Sequence, residues 1–193
     1  MTTYQQILKI DSINPFVHLA LADYYKSQND AEQFNKEIKI AMQNPDLEPE
    51  TKTKILISYY ELSEANDSYK KQADELCEIA LKLHGNSADI HSICGDFLLR
   101  DKKLKEAQSE YETAVTLDKN NFAIWNQLMI VESELGEYVS LESHSNESMD
   151  LFPNLSLPYF FNGIGAFYED FTQVENETVL DLLESKQLIG NRI

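Results

Sequence analysis

The chain has 193 residues, 42% of them hydrophobic, enough to bury a core as one unit or as a short array of smaller ones. Its 33 acidic and 16 basic side chains leave a net charge of −17, which repels phosphate backbones and anionic lipid headgroups and argues against nucleic acid and membrane surfaces as partners. The longest apolar runs, such as Ile55 to Ser58, are too short to span a bilayer. The start MTTYQQILKID carries no export or anchoring signal, and two cysteines are too few for a disulfide framework. No membrane insertion is expected, and the compartment stays open.

Apolar residues recur at i, i+3, i+4 and i+7 in segments of about a dozen residues parted by short polar breaks, and nothing alternates as a strand would. Residues 1–13 predict a single helix through Ile7, Leu8 and Ile10, and 14–48 a helix hairpin carrying Leu21, Ala22, Tyr25, Ile38 and Ala41. The two prolines of NPDLEPE then mark an extended loop. Residues 49–87 form a second hairpin in which Ser58 or Glu61 takes a small-residue slot, depending on whether ANDSY is a lengthened turn. Ser58 is favoured, because Glu at a close helix contact buries a charge. Residues 88–121 and 122–155 are the third and fourth hairpins, and 156–193 a fifth with the C-terminal end.

These hairpins share a phase. His91, Cys94, Gly95, Leu98, Ala107, Tyr111 and Ala114 stand 34 positions before Trp125, Leu128, Met129, Glu132, Leu141, Ser145 and Ser148. One step forward reaches Tyr159, Asn162, Gly163 and Ala166, and one step back from the second helix reaches Ala73, Cys77 and Ala80. This period, with the small Gly95 and Ala107 at close helix approaches, resembles the tetratricopeptide repeat (TPR), W-x2-L-G-x2-Y…A-x3-F…P, and most resembles repeats of bacterial multi-TPR proteins. The resemblance implies an all-α fold, a right-handed α-solenoid of stacked antiparallel helix hairpins. The first 13 residues then supply only the second helix of a missing repeat, and the far end lacks a polar cap over Leu188 and Ile189. The chain is therefore expected to be a fragment of a longer repeat protein, or to self-associate through its uncapped ends.

The resemblance also implies a non-catalytic scaffold, with no cofactor, that takes a peptide or helix of a partner protein in a concave groove lined by the first helices. Positions one, five and eight after the Trp125 place should face that groove. They give Leu19, Asp23 and Lys26; Ser92, Asp96 and Leu99, with Arg100; Asn126, Ile130 and Ser133, with Glu134; and Phe160, Ile164 and Phe167, with Tyr168. The lining would run from polar and acidic to aromatic. The family's clamp for acidic chaperone tails needs Lys and Asn one and five places after the Trp. Leu19 with Asp23, Ser92 with Asp96, Asn126 with Ile130 and Phe160 with Ile164 do not supply it. In PYFFNGIGAFYEDF, Phe160, Phe161, Phe167, Tyr168 and Phe171 are too many for one face, so several belong to the core and some to a further repeat.

No motif supports catalysis: GxSxG, a phosphate-cradling Gly-rich loop and H-E-x-x-H are absent. His18 and His91 take the place of Trp125, which reads as packing. Cys77, His91 and Cys94 could converge on zinc, or the cysteines could pair, although both thiols occupy apolar slots where cysteine behaves as a small hydrophobe. No metal site is assigned. Carboxylate pairs such as Glu132 and Glu134 read as solvated faces of an acidic surface. Two further readings stay open beside the scaffold: an architectural or self-assembly segment of a larger protein, and a metal- or redox-responsive module built on Cys77 and Cys94.

Overall fold

The computed structural model describes residues 2–168, and every regular element among them is helical. In order these are α1 (Thr2–Ile10), α2 (Pro15–Ser27), α3 (Ala31–Gln43), α4 (Pro49–Ala65), α5 (Lys70–Leu83), α6 (Ala88–Arg100), α7 (Leu104–Leu117), α8 (Phe122–Leu135) and α9 (Tyr138–Leu151). A further helical stretch covers residues 156–168. Phe171, Leu188 and Ile189 lie outside the described residues. No helix among the described residues is long and apolar enough to cross a membrane. The chain divides into two compact units between Asp118 and Lys119.

Short polar residues start the helices by satisfying amide groups that have no partner in the first turn. The side chains of Asn14, Asp30 and Ser87 accept from the amides of Val17, Gln33 and Ile90. Pro15 and Pro49 open α2 and α4, where no amide proton is needed. Three hairpins turn in one way. Asn29, Lys102 and Gly136 adopt φ of 57°, 60° and 71°, and the next amide of each returns to a carbonyl five residues back: Asp30 to Tyr25, Lys103 to Leu98, Glu137 to Glu132. This left-handed helix end closes α2 onto α3, α6 onto α7 and α8 onto α9. Only Gly136 adopts it without strain from a β-carbon. Between α4 and α5 the chain instead inserts a single 3-10 turn, Asp67–Tyr69, capped by Asn66.

In the first unit α4 lies beside α6 and α3 beside α5, so first and second helices form separate layers. Between the layers runs a core that includes Phe34, Met42, Leu56, Tyr59, Cys77, Ile90 and Cys94. The tightest approach is at Gly95, where an added β-carbon would stand 2.7 Å from the Tyr111 ring. The corresponding buried pair in the second unit is Met129 with Ser145. In α4 the expected register is wrong. Ser58 is exposed and its hydroxyl bonds back to the Lys54 carbonyl at 3.1 Å, while Leu56 is fully buried in the core with Cys77. The added 3-10 turn lengthens this hairpin, so counting back by the regular period stops short of the true slot.

Candidate functional site

The recurring Trp125 place is a structural fixture. Trp125 is 1% exposed and its Nε1 donates to the Lys119 carbonyl at 2.9 Å. His18 Nε2 does the same to Ser12 and His91 Nε2 to Gly85, both at 3.0 Å, and the Tyr159 hydroxyl reaches the Pro153 carbonyl at 3.3 Å. A carbonyl only accepts, so each imidazole carries a proton on Nε2. Each histidine's Nδ1 meets a carboxylate on the second helix, Glu37 at 2.5 Å and Glu110 at 2.6 Å. His18, His91 and Trp125 thereby tie α2, α6 and α8 to the preceding loop and to the partner helix. Both ring nitrogens are engaged, so neither histidine is available as a general base.

Lys52 fills the same place in α4, which the shifted register had hidden. It is fully buried, and Nζ donates to the Asn44 carbonyl and to His84 Nε2, each at 2.9 Å. Burial lowers Lys52 to about 8. His84 is lowered as well, by burial first and then by the Lys52 charge. A cation therefore stands where the other hairpins place a ring.

The positions expected to face a partner fall into two sets. Asp96 accepts from the Tyr111 hydroxyl at 2.7 Å, and burial leads the causes that push that phenol upward. Arg100 is held by Asp101 at 2.8 and 3.0 Å and bonds the Ser63 hydroxyl. Its guanidinium also packs 5.0 Å from the Phe97 ring, and the side chain is only 10% exposed. Asp96 and Arg100 thus serve the fold. Ser92 and Leu99 beside them are half-buried.

The second set faces solvent. Asp23 and Lys26 of α2 are exposed, as is Glu134 of α8, while Asn126 and Ile130 are half-buried. Lys26 lies 5.8 Å from the Phe34 ring centre and lines a cavity of about 180 Å³ with Phe34, Leu62 and Tyr69. Leu62 and Tyr69 were absent from the sequence reading, although the unusual ANDSY turn pointed there. In 156–168, Phe160 is 61% and Phe167 62% exposed, Ile164 is half-buried, and Phe161 turns into the core. Tyr168 stacks on Tyr138 with centroids 4.4 Å apart.

Two other groups singled out in the sequence can now be placed. Cys77 and Cys94 are free, buried thiols; a hydrogen bond from Cys77, followed by burial, pushes Cys94 upward, so it resists ionisation. His91 is turned to Glu110 and Gly85, and the three side chains form no ligand set. Glu132 is no solvated carboxylate. It is fully buried, one oxygen 2.6 Å from His144 Nδ1 and the other buried without a partner among the described residues. Glu134 is exposed.

No family model matches the chain. Protein O-mannosyl-transferase TMTC3 of Homo sapiens is 31% identical over 111 residues, 57% of this chain and 12% of that protein, so the chain spans a small part of the relative's length. Among solved structures, MamA protein superposes with a TM-score of 0.61 at 15% identity, over 88% of this chain and 90% of that one. YrrB, a TPR protein with an unusual peptide-binding site, superposes with a TM-score of 0.57 at 16% identity, over 86% and 84%.

Proposed function

We propose that this chain, whose fold is that of the tetratricopeptide repeat, is a non-catalytic scaffold that binds a peptide or helix of a partner protein along its first helices. The observation that carries this reading is the row Phe160, Ile164, Phe167: apolar side chains at i, i+4 and i+7, the two rings more than half exposed. Large apolar rings on one helical face are the anchors that amphipathic partners use. Asn126 and Glu134 in the same unit add adaptable polar contacts, and Ile130 a further apolar one. Likeness to YrrB, a peptide-binding protein, supports the reading at the level of fold. The transferase activity in the human relative's name is not carried over to this chain, because the match spans 12% of that protein.

The test is a peptide selected from a random display library against the intact chain, titrated into wild type and Phe160→Ala/Phe167→Ala. Loss of roughly tenfold or more in affinity, with helicity unchanged, is expected. Unchanged affinity sinks the groove reading. The architectural reading rests on the same exposed rings. Wild-type self-association in sedimentation that the double variant abolishes, with no selectable peptide, would favour it.

A further inference from the structure

Because Lys52 fills the Trp125 place in α4, the positions one, five and eight further on are Thr53, Ile57 and Tyr60. Phe160, Ile164 and Phe167 have the same spacing in 156–168. Ile57 is 46% exposed, although Leu56 beside it is fully buried, and Thr53 and Tyr60 are half-buried. The neighbouring first helix, α6, brings Ser92, Asp96 and Leu99 to the corresponding places. The two helices meet where the Tyr60 and Phe97 ring centres stand 5.4 Å apart.

The charge around this apolar row is one-sided. α4 carries Glu50, Glu61 and Glu64, and α6 carries Asp89 and Asp96. Of the cations on the same helices, Lys52 is buried and Arg100 is held by Asp101, which leaves Lys54 exposed. Glu61 follows Ile57 by four places and so shares its face. Asp96 accepts from the Tyr111 hydroxyl and keeps its full charge in doing so. Burial first, then the Glu64 and Asp96 charges, raise the Tyr60 phenol against the opposing Arg100. Carboxylates alone would suit any small cation. The exposed isoleucine on the same row also calls for an apolar side chain, which a metal ion lacks.

We propose that the α4–α6 part of the first-helix face binds a cationic peptide segment, an aliphatic side chain covering Ile57 and Tyr60 while flanking lysines or arginines meet Glu61 and Asp96. The site rests on the scaffold reading and gives the partner its chemistry. It uses no residue of 156–168, so its failure and that of the aromatic row are separable.

The experiment is a titration of the isotopically labelled intact chain with acetyl-Lys-Gly-Leu-Gly-Lys-amide, followed by amide chemical shifts. Alternation along an extended peptide puts its two lysines and its leucine on one side. The analogue acetyl-Gln-Gly-Leu-Gly-Gln-amide and spermidine are parallel probes. Saturable shifts centred on α4 and α6 are expected, with the glutamine analogue roughly tenfold weaker. Asp96→Asn can still accept from Tyr111, and together with Glu61→Gln it should weaken the lysine peptide roughly tenfold with helicity intact. Ile57→Ser should weaken that peptide severalfold and leave spermidine unchanged. Equal affinity for the glutamine analogue, or indifference to the two carboxylate changes, would overturn the cationic assignment. Spermidine displacing the peptide at equal concentration would overturn the peptide assignment. No shifts on α4 and α6, while a display-selected peptide still binds through Phe160 and Phe167, sinks this site alone; no peptide bound at either place sinks the scaffold reading with it.

Discussion

Hairpins α6–α7 and α8–α9 are one design executed with different side chains, and every difference is matched by another. Gly95 lies under the Tyr111 ring, whereas at the same two places α8 brings Met129 and α9 brings Ser145. Bulk has moved from the second helix to the first with the buried volume kept. His91 and Glu110 make a hydrogen-bonded pair, while their counterparts Trp125 and His144 meet edge to face with ring centres 6.0 Å apart. The polar residues follow: Asp96 accepts from Tyr111, whereas their counterparts 34 places on, Ile130 and Ser145, have neither the carboxylate nor the phenol. In α2–α3 the place of Tyr111 is Ile38, and Asp23 is exposed. A residue five places after the Trp125 position is thus solvent-facing or structural according to what packs across the hairpin.

The largest expected effect is at the shared first position. Trp125→Ala removes a buried ring and its bond to Lys119, and should lower stability by about 3–5 kcal/mol, read by thermal or denaturant unfolding. Retained stability with lost peptide binding would make Trp125 a contact residue and break the parallel with His18 and His91.

Lys52 sharpens the same comparison, because a charge sits where Trp125 has a ring. Its folded value of about 8 lies below the ordinary 10.5. Between those values the unfolded chain holds the proton and the folded chain does not, so stability rises with pH across this window. Relative to Lys52→Met, wild type should gain on the order of 3 kcal/mol from pH 8 to 10.5. His84 is depressed too. Wild type should therefore lose ground to the variant as pH falls below about 6.5, where unfolded His84 takes up a proton first. A flat difference from pH 5 to 10.5, in paired denaturant titrations, would refute the buried-cation account.

What could be read beforehand follows from where the period survives. Gly95, Tyr111, Ala107 and Trp125 were legible because their neighbours keep the 34-residue step, and close packing forces small against large. Lys52 and Leu56 were not, because the Asp67–Tyr69 turn breaks the count and a lysine has no apolar signature. Glu132 was lost in an acidic composition that makes any single buried carboxylate look ordinary. Exposure of Phe160 beside burial of Phe161 depends on the rotation of one helix, which a cluster of aromatics does not reveal. Lys39 of α3 and Glu75 of α5, 36 apart, come together only after two hairpins stack.

The exchange of bulk can be tested directly. Gly95→Ala places a β-carbon against the Tyr111 ring and should cost about 1–3 kcal/mol. Adding Tyr111→Leu should return part of that loss, giving a coupling of about 0.5–3 kcal/mol in a double-mutant cycle. Additive effects would mean that the two residues are not the joint spacer of this hairpin.

Tyr111→Phe is the subtlest change and bears most on function. It keeps the ring over Gly95 and removes only the hydroxyl that donates to Asp96, for an expected loss of about 1 kcal/mol. Asp96 is half-buried, so water can take up part of the lost bond and the cost stays small. Its carboxylate would then be held less firmly, as Asp23 is beside Ile38, and a cationic peptide should bind the variant more tightly than wild type. Unchanged affinity for that peptide, with the stability loss present, would mean that Asp96 stays fixed by the rest of its surroundings. The link between packing across the hairpin and polarity of the first-helix face would then fail at this position.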